Sequence, residues 1–113
     1  MFARALATQS TILVLDEPGA GLDLRNQSVI LGWIKRLAEQ GLTIVLTTHQ
    51  PQHAHAVADD ALLMFGSTRH ISGPVSTTMT EENLSELFSV ELRSVRIDIA
   101  GQQVTSVVPI WRL

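Results

Sequence analysis

Two adjacent carboxylates, Asp16 and Glu17, directly follow the uninterrupted apolar run of residues 12–15. Such a run is typical of a buried strand in a parallel sheet, where ligands bind at the carboxyl ends of the strands. Pro18 lacks a ladder donor and disfavours a helical conformation of the residue before it, so we expect an extended Glu17 at the rim of a sheet. On these residues alone, the alternative is a buried strand that ends in two acidic residues without a chemical role.

Three histidines close in sequence, His49, His53 and His55, are the next candidates for chemistry. Imidazole is a common transition-metal ligand, so a shared metal site is one interpretation. Pro51, however, is expected to begin a helix, which leaves His49 in front of it. Two residues apart on that helix, His53 and His55 would face different sides. We therefore favour separate roles for the three side chains, and we interpret the remaining histidine, His70, as a surface or turn residue.

The elements that must position these residues form a strand–helix–strand unit. Asp23 can cap a helix that runs to about Gln40, and Gly41 suits a left-handed helix end. The apolar run of residues 43–46, which Thr47 and Thr48 extend, predicts a second buried strand that reaches His49, and the crossover is expected to be right-handed. The helix should face inward with Ile30, Trp33, Ile34, Leu37 and Ala38. Among these, Trp33 is interpreted as a core residue.

The rest of the chain predicts smaller elements. A helix from Pro51, with Ala54, Val57 and Ala58 inward, is followed by a strand at 61–65 and a short return strand at 70–72. A helix after residue 80 carries Leu84, Leu87 and Phe88, and its cap is either Thr78, at capping-box spacing from Glu81, or Thr80. Period-two alternation at 95–99 and over part of 104–111 predicts a hairpin with its turn at 100–103.

Composition excludes several classes of function. The 113 residues contain no cysteine and carry a net charge of −3. There is therefore neither a disulfide framework nor a thiolate metal site, which suits a reducing cytoplasm. No segment approaches the ~20 apolar residues of a membrane-spanning helix. The scattered Arg and Lys residues do not form a basic patch, so we expect no nucleic-acid partner.

In this order, the motifs resemble those of the ATP-binding subunit of ABC transporters. The strand ending in Asp16 and Glu17 resembles the Walker B strand of that family. Residues 19–23, Gly-Ala-Gly-Leu-Asp, stand where the family has its D-loop, although Thr-Ser-Ala or Thr-Ser-His is commoner there. Thr47-Thr48-His49 is similar to the segment with the switch histidine, and Gln50 follows where many relatives have an acid. Residues 47–54 most resemble importers of metal chelates such as iron siderophores, haem or cobalamin.

The resemblance implies an ATPase that uses ATP and Mg²⁺. Asp16 would hold the Mg²⁺ ion through a water, and Glu17 would orient and deprotonate the attacking water. His49 would contact the γ-phosphate, and Asp23 would reach across a dimer to the partner's site. The implied partners are a second nucleotide-binding subunit and a transmembrane permease, with the protein peripheral on the inner, cytoplasmic face of the cell membrane.

The same resemblance predicts a partial domain. The sequence contains neither a Gly-rich P-loop with its Lys nor a signature motif. Residues 1–7 consist mainly of helix formers without a preceding cap, and they resemble the continuation of the helix that follows the signature motif. We therefore expect the C-terminal half of one nucleotide-binding domain, an α/β fold with a mainly parallel sheet. Residues 1–75 would form its core and residues 76–113 a C-terminal extension.

Two further hypotheses stay open. The chain could be a non-catalytic remnant or dimerisation module that retains only this half of the fold, or it could belong to an ABC-type ATPase outside transport. In every case the segment alone is expected to be inactive, because it offers only acids to the nucleotide and has no backbone cradle for phosphates. Strand faces around Leu13 and Val45 are expected to lack neighbours in the isolated chain.

Overall fold

The computed structural model describes residues 11–113, so the helix predicted for residues 1–7 lies outside the described part. The chain divides into two compact units, the first ending at His53 and the second comprising Ala54–Leu113. We describe each unit by itself. The division after residue 75, which concerns how a family domain is organised, stays a prediction.

The first unit contains the predicted strand–helix–strand arrangement. Its elements are β1 (Ile12–Asp16), α1 (Leu24–Glu39) and β2 (Thr43–Thr47). The two strands pair in parallel, with Asp16 opposite Thr47 at their carboxyl ends. Since these ends lie at the same edge, the residues that follow each strand emerge close together.

Only one face of β1 is buried. Leu13 and Leu15 are 3% and 2% exposed, and Ile34 and Leu37 of α1 are also buried. On the opposite face, Val14 is 69% exposed. Side chains alternate between the two faces of a strand, and α1 packs against the sheet on one side only. The prediction of a strand buried on both faces is therefore wrong for the described residues.

The paired strand shows the same exposed face. Val45, the partner of Val14 in the parallel register, is 52% exposed. The expectation of an uncovered apolar surface thus holds for Val45, whereas Leu13 is covered. The two residues differ because Val45 pairs with Val14, whose side chain is exposed, and the side chains of paired residues lie on the same side of a sheet.

Helix α1 begins and ends as its sequence predicts. The Asp23 carboxylate accepts a hydrogen bond from the Asn26 N–H at 2.8 Å. At the other end, Gly41 has φ 101°, and the N–H of Leu42 donates to the Leu37 carbonyl at 3.2 Å. This is the bonding of a Schellman motif, which a left-handed glycine permits.

The inward face of α1 is narrower than predicted. Ile34 and Leu37 are buried, but Ala38 is exposed and Trp33 is 44% exposed. The Trp33 ring lies under the guanidinium of Arg36, 5.4 Å from the ring centroid. Trp33 is therefore not a core residue in the described chain. A wide aromatic ring at the margin of the apolar face packs against a neighbouring cation instead.

The second helix and the first hairpin follow the predicted order. They are α2 (Pro51–Val57), β3 (Asp60–Phe65) and β4 (Arg69–Pro74), and β4 is longer than the predicted return strand. Strands β3 and β4 pair antiparallel. The helices α3 (Val75–Thr78) and α4 (Glu81–Phe88) come next.

The core of the second unit consists of four buried apolar residues, Leu63, Met79, Leu84 and Leu92. Thr80 is the cap of α4, since its hydroxyl accepts a hydrogen bond from the Asn83 N–H at 3.2 Å. The capping-box alternative with Thr78 is wrong. Residue 78 belongs to α3 and is buried, so only Thr80 lies directly before the first turn of α4.

The predicted C-terminal hairpin is present as β5 (Leu92–Ile99) and β6 (Gln102–Pro109). Its two-residue turn consists of Ala100 and Gly101, with φ values of 51° and 83°. Positive φ at both positions is the requirement of a type I′ turn, which matches the twist of the strands.

The α/β class predicted from the sequence is confirmed. Between Thr11 and Leu113 the sheets are small: one parallel pair and two antiparallel hairpins. A mainly parallel sheet is thus not evident within this part of the chain, although the one pairing next to the candidate site is parallel. None of the helices in residues 11–113 has the length and hydrophobicity needed to span a bilayer.

Candidate functional site

A cluster of polar groups lies where β1 and β2 end. The Thr47 hydroxyl donates to Asp16 Oδ1 at 2.5 Å. The same hydroxyl accepts a hydrogen bond from the Glu17 N–H at 3.1 Å, and this N–H also reaches the Thr47 carbonyl at 3.1 Å. One threonine side chain therefore orients the first carboxylate and fixes the backbone of the second.

Glu17 adopts a left-handed conformation, with φ 43°. The extended conformation predicted from Pro18 is therefore wrong. The backbone of Glu17 is held on both sides: its N–H bonds to Thr47, and its carbonyl accepts the Ala20 N–H at 3.1 Å. These bonds turn the chain sharply out of β1. Left-handed residues other than glycine cost about 1–3 kcal/mol and concentrate at functional sites.

The turn brings Glu17 next to the residue that follows β2. Its Oε1 lies 3.4 Å from Nε2 of His49, and the two side chains are 39% and 84% exposed. The loop carrying His49 is itself fixed, because the Thr48 hydroxyl accepts a hydrogen bond from the Gln50 N–H at 3.0 Å. A carboxylate and an imidazole at this distance, both open to solvent, can share a water molecule or a phosphate oxygen between them.

Asp23 lies apart from this pair, at the far end of the loop. Its carboxylate caps α1, and the residue is exposed. Gly21, with φ 74°, provides the turn before it. The contribution of Asp23 to a partner's site remains a prediction, but an exposed carboxylate at a fixed helix start is compatible with it.

The three neighbouring histidines occupy different environments. His49 is exposed, whereas His53 is only 7% exposed and packs against Gly19. Burial lowers the pKa of His55 below its ordinary value of 6.5. His70, interpreted above as a surface or turn residue, is exposed. Residues 11–113 contain no group of three or more His, Asp or Glu side chains arranged to hold a metal ion.

Two features of this site are absent from the sequence-based predictions. The first is the role of Thr47, although a threonine opposite an aspartate at the ends of paired strands could have indicated the hydrogen bond. The second is the position of His53, because a helix predicted from Pro51 does not reveal that Gly19 leaves room for the imidazole. The signal for this second feature is weak, since the two positions are far apart in the sequence.

The residues present fit part of a magnesium–nucleotide site. Asp16 is exposed and keeps its second carboxylate oxygen for a cation-bound water, as the hard oxygen ligands of Mg²⁺ require. Glu17 and His49 stand beside it. The cradle of backbone N–H groups and the lysine that bind phosphates in P-loop ATPases are not part of this sequence.

A known protein family matches the first part of the chain. The family described as "AAA domain, putative AbiEii toxin, Type IV TA system" matches residues 2–52. This match includes β1, the loop to Asp23 and β2.

Curated relatives extend over more of the chain. It is 35% identical to the molybdate import ATP-binding protein MolC of Haemophilus influenzae over 119 residues, which cover 99% of this chain and 44% of the relative. It is 32% identical to the vitamin B12 import ATP-binding protein BtuD of Photobacterium profundum over 91 residues, covering 80% of the chain and 36% of the relative. The chain thus spans less than half the length of these relatives.

A solved structure has the same fold as this segment. It is described as "An inward-facing conformation of a putative metal-chelate type ABC transporter", and it superposes with a TM-score of 0.90 at 32% identity. The superposition covers 97% of this chain and 44% of that chain. These matches, together with the parallel strand pair and its acidic edge, show that the chain is homologous to ABC transporter ATP-binding proteins and spans less than half the length of such a subunit.

Proposed function

We propose that this segment supplies the water-activating edge of an ABC-type ATPase subunit that couples ATP hydrolysis to the import of a metal chelate. The observation that carries the proposal is the 3.4 Å approach of Glu17 to His49, beside an Asp16 that Thr47 holds. Hydrolysis needs an aligned water and neutralised phosphate charge more than covalent chemistry. These three side chains offer a base, a phosphate contact and a cation-binding carboxylate.

Each residue has one task in this proposal. Asp16 holds Mg²⁺ through a water, and Glu17 orients and deprotonates the attacking water. His49 contacts the γ-phosphate and helps to hold that water. Asp23 reaches the site of a second nucleotide-binding subunit. The phosphates themselves are bound by a P-loop and signature half that this sequence does not contain.

The transport assignment draws on the relatives. The similar proteins are named for molybdate and vitamin B12 import, and the solved structure for a metal-chelate type transporter. We infer partners of the same kind, namely a transmembrane permease and a second ATP-binding subunit at the inner face of the membrane. A non-transport ATPase is the second candidate, because the matching family description refers to a toxin–antitoxin system.

The first experiment compares this segment alone with a subunit completed by a P-loop and signature half. Titrating ATP with Mg²⁺ and following phosphate release should show binding and turnover in the completed subunit only. A Glu17→Gln variant of each protein is the control. Micromolar ATP binding by the segment alone, with turnover that this variant abolishes, would contradict the proposal that a separate P-loop and signature half binds the phosphates.

A second experiment separates transport from other ATPase roles. The completed subunit is reconstituted with a metal-chelate permease in vesicles, and uptake of an iron siderophore, haem, cobalamin and molybdate is measured. ATP-dependent uptake of one of them supports the import assignment. ATP hydrolysis that no permease and no solute stimulates favours the non-transport ATPase.

A further inference from the structure

The loop after β1 and the helix after β2 approach closely where Gly19 lies against His53. A Cβ added at Gly19 would lie 2.7 Å from Cε1 and 3.0 Å from Nδ1 of His53. Both residues are buried. Because a real Cβ does not approach another atom that closely, the imidazole fills the volume that any side chain at position 19 would need.

On the loop side, this contact reaches Glu17 through one turn. The Ala20 N–H donates to the Glu17 carbonyl at 3.1 Å, so Gly19 lies inside the turn that gives Glu17 its left-handed backbone. A shift of Gly19 would therefore change the direction in which the Glu17 carboxylate leaves β1.

On the helix side, the contact reaches His49. The N–H of His53 donates to the Gln50 carbonyl at 3.0 Å, and Gln50 directly follows His49. His53 thus lies in the first turn of α2, immediately after the segment that presents His49. The chain therefore connects two contacts, the exposed Glu17–His49 pair and the buried Gly19–His53 pair, through the short segments 17–19 and 49–53.

We propose that His53 is a positioning residue of the hydrolytic edge, whose imidazole sets the separation of Glu17 and His49 by packing against Gly19. This inference rests on the proposed function and adds to it a residue that touches neither nucleotide nor water. Interiors are close-packed, so removing the ring would leave a void into which the loop can move. A displacement of about 1 Å in a catalytic geometry can cost up to a hundredfold in rate.

The first test replaces the ring in the completed subunit. His53→Ala should lower kcat about five- to tenfold while KM for ATP stays within about twofold, because the phosphates are bound by the other half of the domain. His70→Ala, at an exposed histidine, is the matched control and should hydrolyse ATP like the parent. Thermal unfolding of each variant establishes that the assay is run on folded protein.

The second test exchanges volume between the two positions. Gly19→Ala alone places a methyl group against the imidazole and should also lower kcat several-fold. Gly32→Ala is its control, since a Cβ there would lie 3.9 Å from the nearest atom, in the Arg36 side chain. In the double variant Gly19→Ala, His53→Ala, the added methyl group occupies the space that the imidazole has left. Its kcat should therefore recover to within about twofold of the parent value, a coupling that independent sites do not show.

Amide chemical shifts of Glu17 and His49 provide a readout that does not depend on hydrolysis. Both shifts should change in His53→Ala and return towards the parent values in the double variant. Losses in kcat that simply multiply in the double variant, or unchanged shifts in His53→Ala, would overturn the positioning role. If the completed subunit hydrolyses no ATP, the proposed function fails, and the shifts still decide the role of His53.

Discussion

The two units of this chain differ in how their residues are stabilised. In the second unit, Leu63, Met79, Leu84 and Leu92 form a core that the unit buries itself. In the first, one face of the strand pair stays exposed, and polar residues gather at its end. The first unit also buries apolar side chains of β1 and α1, so packing is common to both units. What distinguishes the first unit is a set of hydrogen bonds at the ends of its strands, which positions a candidate site.

The difference also explains where unfavourable conformations occur. Glu17 is a left-handed residue beside the candidate site, held by hydrogen bonds to Thr47. In the second unit, the left-handed Ala100 lies in a hairpin turn whose geometry requires it. The left-handed backbone conformation thus directs a carboxylate in the first unit and closes a hairpin turn in the second. Substitutions in the two units should therefore change different measured quantities.

The largest expected effect is on turnover, from the first unit. In the completed subunit, Glu17→Gln should keep ATP binding but lower hydrolysis about 10²–10⁴-fold, since the amide keeps the shape and removes the base. Phosphate release and nucleotide titration measure the two quantities. Glu39→Gln, at an exposed acid of α1, is the matched control. Near-parental steady-state hydrolysis by the Glu17 variant would remove Glu17 from its role.

A large effect on stability is expected in the core of the second unit. Leu84 is 1% exposed, so Leu84→Ala should lower the free energy of unfolding by about 2–5 kcal/mol through lost burial and a residual cavity. Leu24→Ala, at an exposed leucine of α1, should change it by less than about 0.5 kcal/mol. Denaturant unfolding with hydrogen exchange measures both. Equal losses in the two variants would contradict the assignment of Leu84 to the core of the second unit.

A smaller effect on turnover is expected at the imidazole of the site. His49→Ala should reduce hydrolysis about 100-fold, because a preorganised contact to the transferring phosphate is lost. His53→Ala, at a positioning residue, and His55→Ala should reduce it far less. Rates are measured with Mg²⁺ in excess. If all three variants lost activity equally and chelators abolished it, a metal site shared by the three histidines would replace their separate roles.

The smallest effect concerns pH and the second unit. Burial lowers the pKa of His55, so the unfolded chain binds its proton more readily than the folded chain. Its contribution to stability is therefore complete above the ordinary pKa of 6.5 and is lost as pH falls through the lower folded value. The midpoint of thermal unfolding of the parent should decrease as the pH is lowered from about 7.5 to about 5.5. His55→Gln should show a weaker decrease. His70→Gln, at an exposed histidine, is the control and should have the same pH dependence as the parent. Identical pH profiles for the two variants would contradict the assignment of this pH dependence to His55.

The sequence by itself determined the local elements of this protein. Asp23 and Gly41 specify the start and end of α1 because a carboxylate satisfies a free N–H and a glycine tolerates positive φ. The apolar runs that end at Asp16 and Thr47 predicted the parallel pair, and the motifs at those ends predicted the family. Period-two alternation predicted the C-terminal hairpin. All of these signals act over a few residues.

Only the tertiary structure decided what depends on distant neighbours. Pro18 predicted an extended Glu17, but the hydrogen bonds to Thr47, thirty positions away, outweigh that preference. The exposure of Val14 and Trp33 depends on which faces other elements cover, a fact that periodicity does not contain. The burial of His53 depends on the missing side chain of Gly19 in another loop. A close contact between a loop and a helix is set by the packing of whole elements, so no local pattern could have predicted it.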